Sequence, residues 1–187
     1  MKNTLFLLVL DGIAVGVQSS TLLHILPSNK FNIINSLALF GWALGTLASG
    51  YISARLTDLI NYKSCGMIQI VIFLCACSSS FIAYEFKVMG LSFFAIFLWG
   101  FFTFSVEGFM TVILCKVYKS IVEGYIINRQ VRCLSETLYS TLNSMTNNKI
   151  PVSLLMVGIS IFSIPALIWL IFWKVDEESS DLMSESD

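Results

Sequence analysis

A chain of 187 residues that is 56% hydrophobic and only 12% charged, with a mean hydropathy of +0.81, has the composition of a membrane protein rather than of a soluble domain. A net charge of -1 without a long basic block excludes the electrostatic footprint of a nucleic-acid binder. Five cysteines, mostly inside apolar runs, exclude a disulfide framework.

A helix rises about 1.5 Å per residue, so roughly 20 consecutive apolar residues cross a bilayer. Five runs of that kind occur, at 5–26, 31–52, 65–84, 88–112 and 152–173. They are continuous rather than alternating, which excludes a membrane β-barrel. The predicted fold class is all-α: a polytopic transmembrane helix bundle with five clear spans and an amphipathic helix as a possible sixth.

In the first run Lys2 precedes Leu5, and small residues follow at Ala14, Gly16 and Ser19, the ingredients of a signal peptide. Asp11 interrupts the apolar core and the run continues to Leu26, so a retained span is expected instead. Gly12, Gly16 and Ser20 recur every four residues, as do Gly41, Gly45 and Ser49 in the second run. Stripes without bulky side chains let helix backbones approach closely, and spans one and two are expected to touch there. The first four runs are joined by short linkers, so neighbouring helices should be antiparallel.

The third run holds Cys75 and Cys77, two apart on a helix and therefore divergent, which suggests no metal site. Trp42 and Trp99 fall deep in the second and fourth runs and read as packing residues. Segment 118–149 is too polar for a lipid-facing span. Yet Ile127, Val131, Leu134, Leu138, Leu142 and Met145 are spaced as one face of an α-helix over 127–145. Two placements follow: an interfacial helix with Arg129 and Arg132 toward headgroups, or a buried sixth span whose polar face is shielded by neighbouring helices or lines a water-filled cavity.

The last run carries Pro165, a possible kink, and ends at Trp169, Trp173 and Lys174, an interfacial anchor. Segment 175–187 is acidic and serine-rich and is expected to be disordered. Lys and Arg concentrate on the side of Lys2, Arg55 and Lys63, which places the N-terminus in the cytoplasm.

Asp11 and Glu107 are the acidic residues well inside apolar runs, where an Asp costs about 2.5–3.5 kcal/mol on the translocon scale. Both should lie in the cytoplasmic third. If they face each other, repulsion and desolvation would make one of them a proton site; otherwise each snorkels or pairs locally, with Lys116 or Arg55 in reach. His24 lies about 20 Å along the helix from Asp11, too far to partner it, and reads as interfacial. One histidine supplies no catalytic arrangement, so an enzyme is not expected, and neither a metal nor a cofactor is implied.

Gly50, Tyr51, Ile52, Ser53, Ala54 and Arg55 close a glycine-striped second span before a short polar loop and a third span. This resembles the loop between the second and third helices in a six-helix half of the major facilitator superfamily. Gly50 and Arg55 match the family's pattern there, while Ala54 stands in place of its Asp and Thr57 in place of its next Gly. Phe97, Leu98, Trp99, Gly100 and Phe101 resemble the fourth helix in the second half of unc-93-like members, with Phe102 and Thr103 where a Gln-Asp pair usually follows. The resemblance implies a fifth helix within 118–149 and Gly50 and Arg55 as gating-loop residues. It also implies a substrate site shared between two halves near the midplane. This chain supplies at most one half. Asp11, Gln18, Thr103 and Glu107 are the candidates for substrate binding or proton coupling. Expected partners are the lipid bilayer and a second copy, as a homo-oligomer, or a partner membrane subunit. The alternative is a non-transporting membrane subunit or anchor that binds partner proteins through its small-residue stripes and amphipathic helix.

Overall fold

The computed structural model describes residues 5–20, 31–117, 121–145, 152–161, 163–165 and 168. All elements among them are helices: α1 Leu5–Ser20, α2 Phe31–Leu59, α3 Tyr62–Phe86, α4 Met89–Val117, α5 Ile121–Met145 and α6 Val152–Ile161. The all-α class is as expected.

Three helices run past the limits set by apolarity. The second continues through Arg55 and Asp58 to Leu59, because charged residues end a hydrophobic stretch without ending a helix. The expected loop between spans two and three thus shrinks to Ile60 and Asn61. Asn61, at φ -57° and ψ 142°, opens α3, and its carbonyl accepts from the Cys65 amide at 3.0 Å. The third helix ends at Lys87, which takes the left-handed conformation (φ 54°, ψ 35°) that turns the chain directly into α4.

Two helices among the described residues are long and apolar enough to cross a membrane, Lys63–Phe86 and Met89–Val112, each of 24 residues. They match the third and fourth expected spans. Shorter apolar stretches occupy Leu8–Val17 in α1 and Met156–Pro165 at α6. The remaining parts of the first and last expected spans, with His24, Trp169, Trp173 and Lys174, lie outside the described residues, as does the acidic tail.

The fourth helix is the hub. Beside α2 its register climbs in step, Gly41 near Phe93, Gly50 near Phe104 and Gly108 near Ser53, so the two helices are parallel. Against α3 the order reverses. Gln69 Nε2 donates to Ser105 Oγ at 2.6 Å and Trp99 Nε1 donates to Ser80 Oγ at 2.9 Å. Between these bonds Phe73 meets Trp99 edge-on, with centroids 5.7 Å apart, and tilts against Phe102 at 5.1 Å. Trp99, Phe73, Phe102 and Phe109 are fully buried and form the middle of the core. The sixth helix packs on α3, and α1 packs on α5 and α4.

The small-residue stripes do not join α1 to α2. Gly12 lies against the Arg132 carbonyl and Ser135, and Gly16 against the Tyr139 ring, so the stripe of α1 receives α5 in parallel orientation. Gly45 meets the Phe97 carbonyl and Gly100 meets the Trp42 carbonyl, so the stripe of α2 receives α4. Close approach is the correct inference from the spacing. The partners differ because a stripe specifies a shape and not which helix fills it.

Candidate functional site

The site forms where α1, α4 and α5 converge. Asp11 sits mid-way along α1, and one residue later Gly12 allows the α5 backbone to come close enough for Arg132 to reach across. Arg132 Nη1 contacts Glu107 Oε1 at 2.6 Å, a short charge-assisted pair, and Arg132 Nε lies 3.6 Å from Asp11 Oδ2. One guanidinium thus serves two carboxylates on two other helices. Its fork of five donors makes this possible where a lysine's single ammonium would have to choose.

Burial grades the three groups. The side chain of Asp11 is 1% exposed, that of Arg132 15% and that of Glu107 36%. Neither Asp11 oxygen accepts a hydrogen bond, so the deepest charge is balanced by an ion pair beyond hydrogen-bonding distance. A buried carboxylate held by charge alone is in a costly environment, and a shift of one side chain, Arg132 toward Glu107, would leave it uncompensated. Glu136, one turn beyond Arg132, adds another negative charge near Asp11.

Of the expected site residues, Asp11 and Glu107 are therefore brought to one place, not in mutual contact but through Arg132. Arg55 is not a partner of either; its guanidinium lies over the Tyr51 ring at 5.5 Å. Lys116, the other expected partner, has its side chain outside the described residues, and so does Gln18. Thr103 is one turn from Glu107 on α4, buried, and donates to the Trp99 carbonyl at 2.9 Å. Gly50 packs near the Phe104 ring, 3.5 Å from where a β-carbon would be, away from the cluster.

Sequence reasoning missed Arg132 as a site residue. Its signal lay in the other face of α5: Asn128, Ser135 and Tyr139, at helical spacing around Arg132, are buried, whereas Leu134, Leu138 and Leu142 are more than half exposed. Along the apolar stripe Leu134, Leu138 and Leu142 point outward while Val131 packs against the core, and polar groups of the adjoining face point into the bundle. Arg129 is exposed, whereas Arg132 is half-buried between Asp11 and Glu107.

Comparison with protein families, with curated proteins and with solved structures found no match.

Proposed function

We propose that the chain is a multi-pass membrane protein, one six-helix half of a solute transporter resembling the major facilitator superfamily, and that it works assembled with a second half. The observation that carries this reading is that large apolar side chains face outward on three helices while charged and polar groups are enclosed beside the aromatic core. Leu39, Phe40 and Leu47 of α2, Val71 and Phe81 of α3 and Phe94 and Phe104 of α4 are exposed, whereas Asp11, Gln69, Ser80, Ser105 and Asn128 are buried. Hydrocarbon covers such outward apolar faces without cost, whereas water does not. The alternation in direction of α2, α3 and α4 and the parallel course of α5 and α1 support a serpentine crossing.

In this reading the cluster of Asp11, Arg132 and Glu107 is the moving part. Alternating access requires helices to rock past one another around a fixed site. Arg132 can favour Asp11 or Glu107 and so couple the position of α5 to either α1 or α4. Compartment reporters fused to each terminus test the architecture: both report the cytoplasm if six helices cross, and termini on opposite sides would overturn the half-transporter. A second reading, a non-transporting subunit, is favoured by one feature. Arg132 already engages both acids, which suits a static clamp holding three helices.

A further inference from the structure

Contacts between helices fix their relative heights. Ser53 of α2 lies beside Gly108 of α4, Gln69 of α3 bonds Ser105, and Arg132 of α5 reaches Glu107. At a rise of about 1.5 Å per residue, Arg55 stands about 3 Å past Ser53, Lys63 about 9 Å before Gln69 and Arg129 about 4.5 Å before Arg132. All three displacements run toward the same end of the bundle, and all finish level with Met110 and Thr111 of α4, about 4–6 Å beyond Glu107. Three basic residues on three helices therefore share one height. Arg55 and Arg129 are exposed, and each has an exposed tyrosine four residues before it, Tyr51 and Tyr125. Both ion pairs among the described residues belong to Arg132, so neither arginine is neutralised by an acid there. The Arg55 guanidinium lies over the Tyr51 ring at 5.5 Å, a contact that eases its charge but supplies no oxygen to its five N–H donors.

We infer that this belt of Arg55, Lys63 and Arg129 lies in the plane of the cytoplasmic headgroups and binds the phosphates of anionic phospholipids. This rests on the membrane-spanning reading above and names the lipid in it. Charge complementarity selects the occupant. The two arginines are cations without a bound acid, their forked donors match phosphate oxygens, and tyrosines of their kind settle at membrane boundaries. A zwitterionic headgroup carries its own cation beside the phosphate, so an anionic one is favoured. The cluster of Asp11, Arg132 and Glu107 then lies about one helical turn inside the headgroup plane.

The full chain is reconstituted in vesicles of phosphatidylcholine and phosphatidylserine in equal parts, then released and weighed with its bound lipids by native mass spectrometry. Phosphatidylserine should be retained over phosphatidylcholine by about fivefold for each arginine. The preference should fall about 25-fold in the double variant Arg55→Gln, Arg129→Gln. It should persist in Lys87→Gln, which changes an exposed cation at the opposite end of α3. Equal retention of the two lipids by the wild type, a preference undiminished in the double variant, or one that falls as far in Lys87→Gln would each overturn the belt. Release of the protein from cell membranes by an alkaline wash would instead overturn the membrane-spanning reading beneath it, so the two failures are distinct.

Discussion

Replacing Arg132 with glutamine removes the charge that balances Asp11 and Glu107. Glu107 is more than a third exposed, so water screens much of its loss. Asp11 is buried without hydrogen-bond donors, and removing one partner of a buried pair costs about 3–5 kcal/mol. The Nε–Oδ2 separation of 3.6 Å places the effect at the lower end, about 3 kcal/mol. Asp11→Asn removes the buried charge and leaves Arg132 with Glu107, so its own cost is about 1 kcal/mol or less. In the double variant no buried carboxylate remains on α1. Arg132→Gln should then cost only about 1 kcal/mol, a coupling of about 2 kcal/mol. Unfolding of the four proteins in mixed detergent, followed by helical circular dichroism, gives the cycle. An Arg132→Gln penalty that is the same in the wild-type and Asp11→Asn backgrounds would refute the pairing.

Gly16→Leu should destabilise by about 1–3 kcal/mol, since its β-carbon would lie 2.6 Å from the Tyr139 ring, and detergent melting should show a lowered midpoint. Gly45→Leu should lower it further, because the obstruction is the Phe97 backbone carbonyl and not a side chain that can turn away. Trp99→Phe keeps the ring packing on Phe73 but loses the bond to Ser80. It should cost about 0.6 kcal/mol and no more than about 1.7, measured in the same assay. Leu138→Ala, on the exposed flank of α5, should leave the monomer's unfolding within about 0.5 kcal/mol of the wild type.

Hydrophobic run length locates the two long apolar helices well, because length and apolarity are local. Expected limits of 65–84 and 88–112 become Tyr62–Phe86 and Met89–Val117, the added turns including polar residues with good helical propensity. The helical period of α5 is equally legible. Which of its faces turns inward is not. In water an apolar stripe seeks the core, but the surface awaiting α5 on α1 is Asp11, Gly12 and Gly16, which accept Arg132, Ser135 and Tyr139. Asp11 and Glu107 stand out because a lone acid in an apolar run is conspicuous, whereas Arg132, among other charges in a polar segment, looks ordinary. Its role depends on the approach of three helices, and no spacing along one chain encodes that.

The pairing of α1 with α5 sets an order of events during synthesis. The first helix emerges with Asp11 exposed to whatever surrounds it, and the arginine that neutralises it is made only after three intervening helices. At about 5–20 residues per second the delay is on the order of ten seconds, and under the membrane-spanning proposal that is ample time for an unmatched acid to slip back out of the bilayer. Late arrival of α5 would therefore complete the site and retain the first helix in the same step. Truncations that stop short of Arg132 should leave α1 poorly anchored, whatever its hydropathy.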